Sequence, residues 1–254
     1  MGQGGYTMDS SFILVSIPPA LLLLAMGILS RIGNSGVVAR ELKRKALHIS
    51  VGLMALSFPL FLNTPPMIIA ALGLVMAWLI AVRRNAGLQR RFGTVLHDIR
   101  RESFGEIYFA ISIAGLLLLT QSKPLFFVIP ILILALADAF AAIVGKVFPV
   151  GPLAGIARGK TTAGCATFFV VAFIVSFWSL EYFADLPIAH ALIVATGLAL
   201  TTFGAEAISR RGIDNLIVPA VAYLTLHFSN IPGGAGNTTV AQLQLDLNAL
   251  VAGL

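Results

Sequence analysis

Residues 126–145 read FFVIPILILALADAFAAIVG, a stretch that is apolar throughout except at Asp138. About 20 such residues in a helix are enough to cross the hydrocarbon core of a bilayer, so the stretch predicts a membrane span. A carboxylate near the centre of a span costs roughly 2.5–3.5 kcal/mol on insertion scales. We therefore expect Asp138 to face a protein or water cavity and to mark the functional site.

The rest of the chain repeats this apolar pattern. It is 58% hydrophobic and 11% charged, whereas ordinary soluble domains carry about 25% charged residues. Apolar runs lie at 12–29, 46–62, 66–82, 107–120, 125–145, 163–183, 187–205 and 214–228. The fourth and the last run are short for a span. We predict an all-α, polytopic transmembrane helix bundle with seven or eight spans.

The spans are expected to form a single domain over residues 1–232. Residues 233–254 follow as a Gly-rich linker and a short, weakly amphipathic tail of the kind that lies on a membrane surface. No Lys or Arg precedes the first apolar run, unlike in a secretory signal, so we expect this run to be retained as a span. With one cysteine, Cys165, the chain cannot form an internal disulfide.

The basic residues indicate orientation. All 17 Lys and Arg residues except Lys123 lie in four alternate loops, at 30–45, 83–106, 146–162 and 206–213. The positive-inside rule places these loops in the cytoplasm and both termini outside. The net charge of +6 is then a topology signal, which argues against nucleic-acid binding. A polar site is expected on this side because most acidic residues also lie in or near these loops: Glu41, Asp98, Glu102, Glu106, Asp138, Glu206 and Asp214.

A basic cluster leads into the second apolar run. Arg44 and Lys45 precede His48 by four and three residues, so all three side chains can share one helix face. The bases would also fit simple flanking of a span. His48, however, lies about one turn inside the membrane edge, where topology alone does not require it.

Two further clusters contain acids at the ends of apolar runs. Glu106 opens the run at 107–120 after Arg101, and it could ligate a cation, pair with an arginine or sit at a solvated helix start. Glu206 ends one run, and Asp214-Asn215 opens the next. Asp or Asn in that position is normally an N-cap, which is the alternative reading of Asp214.

The last cluster joins Asp138 to the loop Gly159-Lys160-Thr161-Thr162. Backbone N–H groups at a helix start attract phosphate, and lysine adds a point charge. The loop is not a Walker A motif, G-x-x-x-x-G-K-[ST], because Ala154 stands where the first glycine is required. A buried acid beside such a loop indicates a cation and a phosphate, which are what phosphoryl or nucleotidyl transfer needs.

The motifs taken together carry a family resemblance. They are 44–49 (RKALHI) with Gly52, 101–109 (RESFGEIYF), 137–145 (ADAFAAIVG), 159–161 (GKT), and Glu206 with 212–219 (GIDNLIVP). In this order they resemble the phytol kinase and dolichol kinase family, polytopic polyprenol kinases that typically use CTP as phosphate donor. One departure is that the family often shows Lys-Ser-x-Glu-Gly at the loop. Here Thr161 keeps the hydroxyl, but Ala163 replaces the acid.

The resemblance implies an integral membrane kinase, with its catalytic site in the transmembrane domain, that phosphorylates a prenyl alcohol such as phytol, geranylgeraniol or a longer polyprenol. It implies the nucleotide CTP and the divalent cation Mg²⁺ as ligands. The implied metal ligands are Asp138, Glu206, Asp214 and Glu106. The implied phosphate or nucleotide contacts are Arg44, Lys45, Arg101, Gly159, Lys160, Thr161 and Asn215. The implied catalytic residues are Asp138, Lys160, Glu206 and His48, the last as proton acceptor or phosphate contact.

Two other functions stay open. The family is also similar to CTP-dependent phosphatidate cytidylyltransferases, which release pyrophosphate and make a CDP-lipid. An ion-coupled transporter would instead use Asp138 and Glu206 as a proton or cation relay. Transporters commonly show inverted repeats and sites near the midplane. No repeat is visible here and the polar clusters crowd one face, which favours the enzyme.

Overall fold

The computed structural model describes residues 8–31, 37–96, 104–120, 123–152, 159–184, 186–229 and 231. Within these residues every regular element is a helix. The α-helices are α1 Met8–Ser30, α2 Val37–Ala55, α3 Pro65–Arg84, α4 Ala86–Leu96, α5 Gly105–Leu119, α6 Pro124–Leu132, α7 Asp138–Val147, α8 Thr162–Phe183, α9 Ile188–Ile208 and α10 Asp214–Phe228. A 3-10 helix, Phe58–Leu60, follows α2, and a π-helical turn, Ile133–Ala137, joins α6 to α7.

These helices confirm the prediction of an all-α membrane bundle. By length and composition, five helical segments of the described chain can cross a membrane: α1, α3, the continuous helix Pro124–Val147, α8 and α9. The apolar helix α5 and helix α10 have 15 residues each, and α2 carries charged residues over its first turns. The protein is therefore an integral membrane protein, while the number of spans, their sidedness and the division at residue 232 stay predictions.

One helix was not anticipated. α4 lies within the loop 83–106, which we interpreted only as a basic cytoplasmic segment. Leu88 and Phe92, four residues apart, pack towards α1, α2 and α3, and the Phe92 ring meets Trp78 edge-on with centroids 5.8 Å apart. Arg90 and Arg91 stay exposed. With 11 residues α4 is too short to span a bilayer, so it is an amphipathic helix packed beside the bundle.

The main apolar core holds the helix that carries Asp138. Phe126, Phe127 and Phe168 are almost completely buried in it. α8 packs along both α7 and α9, and α9 packs along α10. α7 packs against α8 on one face and against α2 on another.

α2 crosses the π turn at very close range. A Cβ atom added at Gly52 would lie 2.5 Å from the Cβ of Ala135, so only glycine fits at the crossing. The π turn follows Pro130, which has no N–H to donate to the helix. The crossing brings the first half of α2, with Lys45 and His48, next to Asp138 at the start of α7.

Candidate active site

A cavity of about 1040 Å³ runs through the bundle and has two parts. We call its charged part the polar end; α2, α7 and the loops before α5, α8 and α10 line it. We call its other part the apolar arm; it is lined by Val51 of α2, residues 68–79 of α3 and residues 109–117 of α5, with Phe58 and Leu62 beyond α2. The polar end brings together predicted site residues from five segments of the chain: Arg44, Lys45, His48, Glu106, Asp138, Gly159, Lys160, Asp214 and Asn215.

Lys45 and Asp138 form a buried ion pair at the polar end. The Lys45 Nζ donates to the Asp138 Oδ2 at 2.5 Å, and the two side chains are 4% and 7% exposed. Removing two charges from water is expensive unless they satisfy each other. The pair therefore explains how a carboxylate is accommodated within an apolar helix, and the expectation that Asp138 faces protein holds in the structure.

His48 is held on three sides at the border between the polar end and the apolar arm. Its Nε2 lies 3.1 Å from the backbone oxygen of Leu134 in the π turn. A carbonyl oxygen only accepts, so the hydrogen belongs on Nε2, and Nδ1 is the acceptor of the neutral ring. The ring stacks on Phe109 with centroids 4.3 Å apart, and Nε2 lies 3.6 Å from the Asp138 Oδ2.

Lys160 and Glu206 form the second pair. The Lys160 Nζ donates to the Glu206 Oε1 at 2.5 Å and also to the Glu206 backbone oxygen. Lys160 comes from the loop before α8, and Glu206 from the last turn of α9. The Glu206 Oε2 is buried and has no hydrogen-bond partner among the described residues. Lys160 lines the cavity and Glu206 does not, so a ligand in the cavity meets Lys160 first. A buried carboxylate oxygen without a donor suits an ordered water or a cation.

Of the alternatives considered for Glu106, the structure shows an ion pair with an arginine. Arg83, near the end of α3, donates to its Oε1 from Nη2 at 2.5 Å and from Nε at 3.1 Å. The Arg83 guanidinium also lies over the Phe104 ring, 4.5 Å from its centroid. Glu106 lines the polar end, but its Oε1 is engaged by α3 and not shared with Asp138. Its role as a metal ligand stays a prediction.

Asp214 and Asn215 differ in their surroundings although they are neighbours. The Asn215 Nδ2 donates to the Gly105 backbone oxygen at 2.8 Å, and the Asn215 backbone oxygen accepts from the Ser112 Oγ at 2.6 Å. These bonds tie α10 to α5. The N-cap position of α10 is Ile213, so the N-cap reading of Asp214 does not apply. Asp214 instead contributes a carboxylate to the polar end.

The loop before α8 supplies backbone geometry as well as Lys160. Gly159 has a φ of 93°, a conformation that favours glycine. Thr161 is the N-cap of α8, where its Oγ1 accepts from the Gly164 N–H at 3.1 Å. Thr161 does not line the cavity, so what the structure shows for its hydroxyl is a helix-capping role.

Glu41 is a polar-end residue that the sequence analysis did not select. Its carboxylate lies 2.6 Å from the Arg44 Nη2 and 3.5 Å from the Lys146 Nζ, which links α2 to α7. Burial alone would raise the pKa of Glu41, but the hydrogen bond and charge of Arg44, with the charges of Lys45 and Lys146, lower it below its ordinary value. The spacing of Glu41 and Arg44, three apart on one helix, was the available signal.

Three basic residues at the polar end were also missed, and one of them is Lys146, the partner of Glu41. Arg210 and Arg211 line the polar end from the loop between α9 and α10, and Arg211 has a φ of 55°. The predicted phosphate contact Arg101 lies outside the described residues. The polar end thus has more cationic groups than the motifs alone suggested.

The carboxylates of the polar end are dispersed. Among the described residues, no group of three or more His, Cys, Asp and Glu side chains could hold a metal ion. Mg²⁺ usually binds through one or two carboxylates together with substrate phosphates. The arrangement, with the partnerless Glu206 Oε2, therefore fits a Mg²⁺ that arrives with a nucleotide better than a permanent metal centre.

The chain is 30% identical to a phytol kinase from Synechocystis sp. over 182 residues, which cover 70% of this chain and 75% of that protein. No family model and no solved structure matches the chain. The chain belongs to the phytol kinase family of polyprenol kinases.

Proposed function

We propose that the protein transfers the γ-phosphate of CTP to the hydroxyl group of a prenyl alcohol. The observation that carries this proposal is the continuity of one cavity from a charged polar end to an apolar arm. A nucleotide and an isoprenoid alcohol need these two environments side by side. Membership of the phytol kinase family supports a prenyl-alcohol kinase, and the choice of CTP follows the motif resemblance.

Nucleotide binding would work by exchange of partners. Lys45 and Lys160 each have a carboxylate partner at 2.5 Å. Donor phosphates would take the two ammonium groups, with Arg44 close by, and the carboxylates of Asp138 and Glu206 would turn to the cation bound with the nucleotide. When bound, Mg²⁺ supplies neutralisation of charge on the transferred phosphoryl group. Asp214 would complete the set of carboxylates.

In the transfer step, the alcohol oxygen bonds to the γ-phosphorus while the bond from that phosphorus to the bridging oxygen of CDP breaks. The products are a prenyl monophosphate and CDP, and the hydroxyl proton must leave. His48 suits this proton because its neutral ring keeps Nδ1 as an acceptor. It also stands at the border where the hydroxyl of an alcohol in the apolar arm would lie.

The test uses purified protein in lipid bilayers with geranylgeraniol, or with phosphatidate in its place, and CTP labelled at either the γ- or the α-phosphorus. We expect the γ-label in the lipid fraction and CDP in solution. The α-label in lipid, together with pyrophosphate, would replace the kinase by a cytidylyltransferase. Alcohol-dependent transfer from ATP but not from CTP would mean that the protein is a kinase but that CTP is not its phosphate donor. Transfer from neither nucleotide would overturn the proposal.

A further inference from the structure

The apolar arm is built mainly from regular stripes on α3 and α5, and Pro18 and Leu22 of α1 also line the cavity. On α3 the lining residues Ile68, Leu72, Val75 and Leu79 recur every three or four positions, which is the spacing of one helix face. On α5, Phe109, Ile113 and Leu117 do the same. Val51 continues the wall along α2 below His48. The arm is therefore a groove parallel to the helices and not a local gap.

We call the far end of the arm, lined by Phe58, Leu62, Ile68 and Leu117, its floor. Phe58 and Leu62 follow α2, and they belong to the same apolar cluster as Ile68 in the first turn of α3 and Leu117 near the end of α5. All four side chains are buried, and Ile68 is only 1% exposed. Phe58 is supported from behind by Phe61, whose ring meets it edge-on at 5.8 Å. The end of the arm is fixed by packed side chains.

The distance from the polar end to this floor can be read from the helix rise. From Phe109, which stacks on His48, to Leu117 along α5 it is about 12 Å, and from Leu79 to Ile68 along α3 about 16 Å. An extended carbon chain advances about 1.2 Å per bond. The arm therefore accepts on the order of ten to fourteen carbons in line, which corresponds to the main chain of an alcohol of about three to four isoprene units.

We propose that the apolar arm binds the isoprenoid tail in an extended form and that its floor, at Phe58, Leu62, Ile68 and Leu117, sets the upper limit of chain length. The inference rests on the proposed function for the identity of the head group. Alcohols of about three to four isoprene units fill the arm. Longer polyprenols meet the floor before their hydroxyl reaches His48.

Small residues in the wall make the arm wide enough for a branched tail. Ala71 on α3 and Ala114 on α5 line the arm about one helical turn before its floor and are buried. Their methyl groups leave room where leucine would not. A larger side chain at Ala114 should divide the arm and leave space only for a short alcohol.

The test compares two changes with opposite expected results. Phe58→Ala removes part of the floor, and its matched control is Phe168→Ala, a buried phenylalanine of α8 that does not line the cavity. Ala114→Leu blocks the arm, and its control is Gly115→Leu, where an added Cβ meets open space. Geraniol, geranylgeraniol and a longer polyprenol are assayed for phosphorylation. The same alcohols, without nucleotide, are assayed for their effect on the Tm of the purified protein.

For Phe58→Ala we expect kcat/KM for the longer polyprenol, relative to geranylgeraniol, to rise by at least about tenfold. For Ala114→Leu we expect a loss of at least about tenfold on geranylgeraniol and little change on geraniol. The controls should keep the wild-type order. If Ala114→Leu does not fold, the result for Phe58→Ala alone tests whether the floor sets the length limit.

The two readouts separate this inference from the proposed function. If the wild-type protein phosphorylates these alcohols and every variant shows the same preference for chain length, the floor does not set the length limit, and the proposed kinase function still stands. If the protein phosphorylates none of them, length-dependent shifts in Tm that follow Phe58→Ala would support the arm without the kinase. Shifts in Tm that are identical for all three alcohols would overturn the arm directly.

Discussion

The two lysine–carboxylate pairs of the polar end differ in depth and in support. Lys45 and Asp138 both project from helices and are 4% and 7% exposed. Lys160 comes from a loop and is 20% exposed, and its partner Glu206 keeps one oxygen without a hydrogen bond among the described residues. A deeply buried pair cannot lose one member without leaving an isolated charge. In the proposed function both pairs exchange partners with the nucleotide, and the exchange costs less desolvation at the outer pair because Lys160 is more exposed than Lys45.

The largest effect is expected for Asp138→Asn. If Asp138 faces the nucleotide-bound cation, the rate of CTP-dependent phosphorylation should fall at least about a hundredfold, because a transition-state charge loses a stabiliser. The Tm should also fall, since Lys45 would be left buried without a counterion, a change worth about 3–5 kcal/mol. Kinetics and thermal unfolding of the purified variant measure the two effects separately.

The control is the double variant Lys45→Met with Asp138→Asn, which removes both charges. We expect its Tm to recover towards the wild-type value while its activity stays low. Near wild-type turnover in Asp138→Asn across a Mg²⁺ titration would show that the inner pair is structural only.

The next effect in size concerns Lys160→Ala. Loss of a cation for donor phosphate should raise the KM for CTP and lower kcat, together by about tenfold or more. The Tm should fall less than in Asp138→Asn, because Lys160 is 20% exposed whereas Lys45 is 4% exposed. Lys160→Arg should rescue only in part, since a planar fork does not replace a compact ammonium. Unchanged kinetics in Lys160→Ala would remove the distinction between the two pairs.

A smaller effect is expected for Glu206→Gln. The amide oxygen can still accept from Lys160, but the charge opposite the cation is gone. We expect the Mg²⁺ concentration for half-maximal activity to rise several-fold, with little change in KM for the alcohol. A Mg²⁺ titration at saturating CTP measures this. The matched control is Glu181→Gln, which changes a carboxylate near the end of α8. An unchanged Mg²⁺ curve would place the cation elsewhere.

The smallest effect is expected for Glu41→Gln, which acts on both pairs from outside. The carboxylate organises Arg44 and Lys146, so its loss should raise the KM for CTP by a few-fold and lower stability by about 0.5–1 kcal/mol. Because the pKa of Glu41 lies below its ordinary 4.5, this stabilisation is complete above about pH 5 and fades as pH falls through the lowered pKa. The Tm difference between wild type and variant, followed from neutral to acidic pH, should shrink accordingly. A difference that grows on acidification would contradict the assignment.

Much of the bundle follows from local pattern. The apolar runs became helices because a membrane span needs only length and composition. α4 was missed because its apolar residues, Leu88 and Phe92, are too few to form a run, and only packing against Trp78 and the helices around it makes their spacing meaningful. Its basic residues were correctly noted, but they say nothing about helix formation.

Many residues of the candidate site could be predicted from the sequence, but the ion pairs that they form could not. A carboxylate at Asp138 required a partner, yet nothing local connects it to Lys45, 93 residues away. That pairing depends on the close crossing at Gly52 and Ala135. Arg83 was the unforeseen partner of Glu106 for the same reason, because their contact depends on how α3 and α5 pack.

The π turn Ile133–Ala137 has a consequence for the angular setting of the helix that contains it. Successive residues of an α-helix are separated by about 100° around the axis, and a π turn takes in one residue more than an α turn. The positions of side chains around the helix axis are therefore offset between the part before the turn, which we call the first series, and the part after it, the second series. Phe126 and Phe127 of the first series anchor the helix in the apolar core. Asp138 begins the second series and points to Lys45, so a single uninterrupted helix serves both as membrane anchor and as wall of a charged site.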